Sequence, residues 1–205
     1  GSAIGDTINL PAENYNATLN DYTWEEIKEL AEAQMSANEL YNKYGIIPGQ
    51  IKTSNGIEYL LTDVNMYGGF VFMFNSNTNE LFDSTKGAVY ATSSIFNTLT
   101  SMYNNLETSD NDLFKVIKKA NVAVAESDDG YNYSKVNMIN QGFFLASIKN
   151  VTNSSYIPDN EYLNQEGELF DCVQYRQNAG SISQILNDSY WLRTTLYNGE
   201  YNTGV

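Results

Sequence analysis

Apolar residues recur at helical spacing in the first third of the chain and again in its middle. Thr23 and Glu26 form a capping box, because each side chain can accept a hydrogen bond from the other residue's main-chain N–H. Ser36 begins a second such box, and Gly45 is placed to end the helix that follows. Asp112 can cap a later helix. The predicted helices start at Trp24 and Ala37 and cover the ranges 94–106 and 113–120.

Strand-like stretches of alternating or short apolar residues appear from residue 57 onward. The predicted strands cover the ranges 57–63, 69–75, 122–125, 143–148 and 191–196. Loop-rich sequence fills 150–168 and 176–189, and an irregular region of this length is usually functional or contains further short elements. We predict an extended N-terminal lead-in over 1–22 and a single domain over 23–205. The predicted fold class is α+β, with early and middle helices, a small twisted and mostly antiparallel sheet, and a large irregular loop region.

Histidine is missing from all 205 residues, and Cys172 is the one cysteine. A chain without histidine cannot build a Ser-His-Asp or Cys-His nucleophile, nor a histidine-based zinc or iron site. One thiol forms no internal disulfide, and Cys172 is predicted to be a small buried hydrophobe. We therefore predict no catalytic residue, no metal site and no cofactor. A glycan hydrolase that uses two carboxylates stays open as an alternative, because that chemistry needs only Asp and Glu.

The charge balance restricts the partners of the chain. Lys and Arg together number 11 against 25 Asp and Glu, which gives a net charge of -14. Binding to nucleic-acid phosphates or to anionic membrane surfaces needs clustered basic residues, so we predict neither as a partner. No apolar run approaches the roughly 20 residues of a membrane helix. The opening Gly1-Ser2-Ala3-Ile4 shows no signal peptide.

Two acidic clusters contain the oxygen ligands that calcium prefers, Asp110-Asn111-Asp112 and Asp128-Asp129-Gly130. Neither cluster follows the spacing of an EF-hand loop. The Glu-Pro-Asn and Trp-Asn-Asp signatures of calcium-dependent lectins do not occur in the sequence. Turn formation and helix capping are therefore the favoured interpretation of both clusters.

Trp191 and Arg193 stand two residues apart on a predicted strand, so they share one face. In one interpretation they bind a ligand, with an aromatic plate beside a guanidinium group. In the favoured alternative, Trp191 belongs to the core and Arg193 is buried and paired with a carboxylate such as Glu166 or Glu168.

Tyrosines in loop-like and terminal segments are the second set of candidate ligand-binding residues, because tyrosine gives rigid contact area at low entropic cost. The alternative is that several of them belong to the core, and both interpretations stay open. The candidates are Tyr156, Tyr162, Tyr197 and Tyr201, with Tyr131 and Tyr133 in a similar setting.

Five short segments occur in a particular order along the chain. They are Tyr22–Ile27, Leu113–Lys119, Phe143–Ser147, Glu166–Phe170 and Tyr190–Thr194. Taken together, from about Thr23 onward, they resemble the domain-of-unknown-function family 6273, which is found in phage structural proteins and in surface proteins of gut Firmicutes. The most specific piece is Trp191-Leu192-Arg193-Thr194, where the family usually has Trp-Leu-Arg-Ser.

The resemblance implies a C-type-lectin-like fold, shared with formylglycine-generating enzymes and variable receptor-binding proteins, and it implies no known activity. We therefore expect a non-catalytic binding or assembly module of a phage virion (tail, fibre or receptor-binding protein) or of a bacterial surface protein. The alternatives are a purely structural virion or decoration protein and the carboxylate-based glycan hydrolase. Expected partners are other virion or surface protein subunits, a host-cell glycan or protein receptor, and further copies of the chain in a homo-oligomer. The expected location is the virion, the cell surface or the extracellular space.

The end of the sequence departs from the family pattern. Members usually continue past a Gly-Val pair into a proline and a final apolar strand, whereas this sequence stops at Gly204-Val205. A strand without its neighbour has unpaired N–H and C=O groups. We therefore expect residues 197–205 either to contact another subunit or to fray.

Overall fold

The structure, a computed structural model, describes residues 9–75, 81–83, 89–127, 132–155, 157–175 and 192–194. Over these residues the fold is α+β, as predicted, with six α-helices and with five strands in two small antiparallel sheets. The helices are Trp24–Glu32 (α1), Ala37–Tyr44 (α2), Ser94–Ser109 (α3), Asn111–Val116 (α4), Ile148–Val151 (α5) and Asp171–Tyr175 (α6). The strands are Ile51–Ser54 (β1), Ile57–Met66 (β2), Gly69–Met73 (β3), Ala120–Ser127 (β4) and Tyr133–Gln141 (β5).

The chain forms two compact units, Gly1–Asn75 with Asp110–Val116, and Ser76–Ser109 with Ile117–Val205. The division into a lead-in over 1–22 and one domain over 23–205 stays a prediction. In the first unit, the described part of that lead-in forms a 3-10 turn at Leu19–Asp21 and buries Leu19 completely. No helix among the described residues is long and apolar enough to cross a membrane.

The first unit confirms both predicted helix starts. Thr23 Oγ1 accepts the N–H of Glu26 at 3.1 Å, and Glu26 Oε1 accepts the N–H of Thr23 at 3.0 Å. The second helix begins after Ser36 and ends at Gly45, whose φ is 67°. A Cβ at Gly45 would lie 1.9 Å from the carbonyl oxygen of Ala17, so glycine is required both by the backbone conformation and by the space.

The sheet of the first unit has the order β1-β2-β3. β2 and β3 confirm the strands predicted over 57–63 and 69–75, with shifted ends. The prediction omits β1, which is only four residues long. A two-residue turn joins β1 to β2, and positive φ values at Asn55 (50°) and Gly56 (77°) are typical of such hairpins.

The second unit packs α3 against the ribbon of β4 and β5. Ile95 and Leu99, on the predicted apolar face of α3, share a core cluster with Val122 and Val124 of β4 and Ile139 of β5. β5 pairs antiparallel with β4, with a register shift between Tyr133 and Lys135 near its start. Cys172 of α6 is fully buried, as predicted.

The strand prediction over 143–148 is wrong. Residues 142–147 are irregular, and Ser147 and Asn150 form a capping box that begins α5. Phe143, Phe144 and Leu145 pack against the core cluster of the second unit without entering a sheet. Their apolar character, which suggested a strand, therefore reflects burial of an irregular segment.

Two other elements differ from the prediction. α4 ends at Val116, and β4 begins at Ala120, so the helix predicted over 113–120 is shorter. Residues 192–194, the described part of the strand predicted over 191–196, lie in no strand.

Candidate functional site

Among the described charged residues of the second unit, Arg193 has the most enclosed side chain, with no exposed surface. Its Nε donates to the carbonyl oxygen of Ala123 at 3.0 Å, and its Nη1 donates to that of Leu145 at 2.7 Å. Nη2 donates to the carbonyl oxygen of Glu166, and Asn150 Oδ1 lies 3.4 Å from Nη1. The planar guanidinium therefore ties together three segments that are far apart in the sequence.

Glu166 lies beside Arg193 and is also buried, with 1% of its surface exposed. Its Oε2 accepts the N–H of Ala125 at 2.9 Å, and its Oε1 accepts the hydroxyl of Thr194 at 2.7 Å. Burial raises the pKa of Glu166, and the Arg193 charge and the hydrogen bonds from Thr194 and Ala125 only partly oppose that effect.

Together these two side chains occupy the outer edge of β4. Ala123 and Ala125 are two residues apart, so their main-chain groups point to the same side of the strand. Arg193 bonds the outward C=O of Ala123, and Glu166 bonds the outward N–H of Ala125. A buried arginine and a buried glutamate thus take the place of a third strand, and we call this pair the edge clamp.

The segment after α5 is held against the edge clamp by Asn150. Its side chain bonds the N–H of Ser147 at 2.9 Å and the carbonyl oxygen of Glu168 at 2.8 Å, while its own carbonyl accepts the N–H of Phe170 at 2.9 Å. A Cβ at Gly167, where φ is 135°, would lie 2.6 Å from Asn150 Nδ2. Glycine is therefore needed at 167 for this close approach.

An open groove of about 390 Å³ lies along this same segment in the second unit. The described part of its lining combines polar and apolar surface, with one lysine and one glutamate among amides, hydroxyls and two aliphatic side chains. The lining residues are Lys149, Thr152, Asn153, Ser154, Ile157, Asn164, Gly167, Glu168 and Leu169. Such a surface can exchange hydrogen bonds with a polar ligand, because amide side chains supply both donors and acceptors.

The structure places the predicted ligand-binding residues unequally. Arg193 is buried beside Glu166, as the favoured alternative expected. Its hydrogen bond goes to the main-chain oxygen of Glu166 and not to the carboxylate. Tyr162 is half-buried and packs against a small cluster in the second unit. Glu168, the other proposed partner of Arg193, is exposed and lines the groove. Trp191, Tyr156, Tyr197 and Tyr201 lie outside the described residues. Ligand binding by these tyrosines and by the Trp191–Arg193 pair stays a prediction.

Tyr131 and Tyr133 were predicted to lie in a setting similar to that of these tyrosines. Tyr133 belongs to a strand, not to a loop, and is buried there. Burial raises the pKa of Tyr133 to about 12. Tyr131 and the range 197–205 lie outside the described residues.

Sequence reasoning did not identify the groove residues individually. Most of them come from the range 150–168, which was predicted to be loop-rich, and the length of that range is the one signal that indicated function. Which side chains of a loop meet in a groove depends on distant contacts, such as those of Asn150 with Glu168, and these leave no local pattern.

The acidic clusters show capping where they are described. Asp110 Oδ1 accepts the N–H of Leu113 at 3.4 Å at the start of α4, and its Oδ2 accepts the Ser54 hydroxyl at 2.5 Å. This supports the capping interpretation for the first cluster, although Asp110 caps the helix in place of Asp112. The cluster Asp128-Asp129-Gly130 lies outside the described residues. Within the described ranges no group of His, Cys, Asp and Glu side chains is arranged to hold a metal ion.

The chain matches a known family. A family model described as "Domain of unknown function (DUF6273)" matches residues 58–205, which is more than half of the chain. The match confirms the predicted family, although it begins later than Thr23, where the resemblance was expected to start. It includes both residues of the edge clamp and the whole groove. No curated protein and no solved structure matches the chain.

Proposed function

The chain belongs to the domain-of-unknown-function family DUF6273, and from that premise we propose that it is a non-catalytic binding or assembly module of a phage virion or of a bacterial surface protein. Its place would be a tail, fibre or receptor-binding protein, or a cell-surface protein. Its partners would be other subunits of that structure and a host-cell glycan or protein receptor. The phage or surface setting rests on the family resemblance alone.

The groove of the second unit is the observation that carries the binding role. Thr152, Asn153, Ser154 and Asn164 line it, and their side chains carry hydroxyl and amide groups. Paired donors and acceptors of this kind suit the adjacent hydroxyl groups of a sugar. Hydrogen bonds of the Asn150 side chain hold the backbone that forms the groove, so this backbone would lose little conformational entropy when a ligand binds.

A C-type-lectin-like fold is the finer part of the proposal. It is supported by the small antiparallel sheets and by the long irregular segment between β5 and α6, which the edge clamp holds in place. In this arrangement the irregular segment carries the binding surface, and the Leu192-Arg193-Thr194 motif serves to fix that segment.

The groove favours binding over glycan hydrolysis. The two-carboxylate mechanism needs a pair of Asp or Glu side chains on either side of the substrate. Among the described residues that line the groove, Glu168 is the one carboxylate. Glu166 is buried, and each of its carboxylate oxygens already accepts a hydrogen bond.

The experiment is a binding screen of the purified chain against an array of bacterial and host glycans, followed by calorimetric titration of the strongest hit. The test variant is Lys149→Ala/Asn153→Ala, which removes two groove side chains. The matched control is Lys115→Ala/Asn104→Ala, because both of these residues are exposed and lie outside the groove. We expect at least a tenfold loss of affinity for the test variant alone, with unchanged melting temperatures for both.

Two results would count against the proposal. If no glycan binds the wild-type chain, the glycan-receptor role is wrong and the purely structural virion or decoration protein becomes the better account. If a glycan binds and the groove variant retains its affinity, the groove is the wrong site. Turnover of a bound oligosaccharide, detected by mass spectrometry, would favour the hydrolase.

A further inference from the structure

Two of the sheet edges are occupied by side chains. On β1, the N–H of Thr53 donates to Asn20 Oδ1 at 2.9 Å. On β4, the edge clamp takes the outward groups of Ala123 and Ala125. Covering an edge in this way keeps it from pairing with another chain.

The outer edge of β5 has a different character. Ala123 pairs with Met138 and Ala125 pairs with Val136. In an antiparallel ladder two opposite residues point their main-chain groups either toward each other or both away. The edge clamp shows that the main-chain groups of Ala123 and Ala125 point away from β5. The main-chain groups of Met138 and Val136, which lie opposite them, therefore point away from β4. By the same alternation, the main-chain groups of Asn140, which lies opposite Asn121, also point away from β4.

Among the described residues, nothing bonds the outward N–H and C=O groups of Val136, Met138 and Asn140. The features that usually protect an edge are weak here. β5 is nine residues long, contains no proline, and carries one charge, at Lys135. Met138 lies near its middle with 58% of its surface exposed.

We propose that β5 is a self-association edge, at which two copies of this chain join their β4–β5 ribbons into one four-stranded antiparallel sheet. A two-fold axis at Met138 sets Val136 of one copy against Asn140 of the other. Each such outward pair exchanges two hydrogen bonds, so the three pairs give about six. The contact is isologous, since the same strand serves both copies.

The charge pattern of β5 suits a second copy. In this register Lys135 faces Gln141 of the other copy, and the two lysines stand about 20 Å apart along the strands. No carboxylate lies on β5, although the whole chain has a net charge of -14. Repulsion between two such chains is long-ranged and screened by salt. The dimer should therefore strengthen as the salt concentration rises.

A pairing of this size is small for a protein interface, and small interfaces are typical of weak association. The test is sedimentation equilibrium of the full chain at protein concentrations up to roughly 0.5 mM, at low and at raised salt. Hydrogen exchange is measured on the same samples. We expect dimerisation that increases with salt, together with slower exchange at the Val136, Met138 and Asn140 amides in the dimer.

Two variants identify the edge. Met138→Lys places like charges on the two-fold axis, and Met138→Pro removes an outward N–H while sparing the bonds between β4 and β5. Asn104→Lys on α3 is the control, because it adds the same charge at an exposed site elsewhere. Loss of the dimer in the Met138→Lys variant, with retention in the control, supports the proposal even if the proline variant does not fold.

Three results would overturn it. The first is a monomer at every concentration and salt tested. The second is a dimer that survives Met138→Lys, which would assign association to another surface. The third is protection of the Val136, Met138 and Asn140 amides in the monomer, which would mean that this chain covers its own edge. All three are independent of whether the groove binds a glycan.

Discussion

Replacing Arg193 by methionine tests the edge clamp most directly. The Arg193→Met variant keeps a long apolar stem but removes every hydrogen bond of the guanidinium. Carbonyl oxygens of Ala123, Leu145 and Glu166 would lose their donor in an enclosed site. The carboxylate of Glu166 would lose the cation that offsets its burial.

The expected cost follows from these lost contacts. Breaking a buried ion pair by removing one partner costs about 3–5 kcal/mol, which is an upper limit here because Arg193 bonds the main-chain oxygen of Glu166 and not its carboxylate. Each buried acceptor left unsatisfied costs about 1–3 kcal/mol, although such terms do not add fully. We therefore expect a loss of about 4 kcal/mol from the free energy of unfolding. For a chain of this length that corresponds to a fall in melting temperature of about 8–16 °C.

The assay is urea unfolding followed by circular dichroism. The control is Lys135→Met, which removes an exposed lysine whose Nζ lies 3.7 Å from Glu126 Oε2 and should cost less than about 1 kcal/mol. The double variant Arg193→Met/Glu166→Gln should cost less than the sum of its single changes, because it leaves no unpaired buried charge. A loss below about 1 kcal/mol for Arg193→Met would refute the reasoning. It would mean that water reaches Arg193, and the ligand-binding interpretation of this residue would regain support.

Three further outcomes are expected. Burial raises the pKa of Glu166, so ionisation of this carboxyl group opposes folding. The free energy of unfolding of the wild type should therefore fall relative to that of Glu166→Gln as the pH rises from about 4.5 through the pKa of the folded state. Parallel curves of urea stability against pH for the two proteins, from about pH 4 to 8, would contradict this. Tyr90→Phe should cost about 1–3 kcal/mol in urea unfolding, because the Tyr90 hydroxyl, which donates to Gln141 Oε1 at 2.7 Å, is lost from a buried site; an unchanged midpoint would show that water replaces it. Gly45→Ala should cost at least about 3 kcal/mol, since its Cβ meets the Ala17 carbonyl, and a thermal melt within a degree or two of wild type would show that the loop shifts freely.

Local sequence signals predicted the elements whose causes are local. The Thr23 capping box, the left-handed Gly45 and the apolar face of α3 each depend on residues within a turn or two of one another. The omitted strand β5 illustrates the opposite case. Its exposed Asn137 and Asn140 interrupt the apolar alternation, because an edge strand buries little of either face.

The candidate site could be predicted only in part. Burial of Arg193 beside Glu166 followed from the cost of leaving either charge unpaired in an apolar setting. The hydrogen bonds of Arg193 to the carbonyl oxygens of Ala123 and Leu145 could not be predicted, because these residues lie 70 and 48 positions from Arg193 in the sequence. Periodicity carries no information about contacts at such separations, so neither the clamped edge of β4 nor the groove could be derived from it.

The position of the edge clamp in the sequence has a consequence for synthesis. Ala123 of β4 is synthesised 70 residues before Arg193, which bonds its carbonyl oxygen. Ala125 is synthesised 41 residues before Glu166, which bonds its N–H. At about 5–20 residues per second, β4 spends roughly 4–14 s without its arginine. During that interval β4 has an open edge as well as β5, and neighbouring nascent chains on one polysome can pair with either. Slow translation between residues 125 and 193 therefore prolongs the period in which this protein is most exposed to co-translational aggregation.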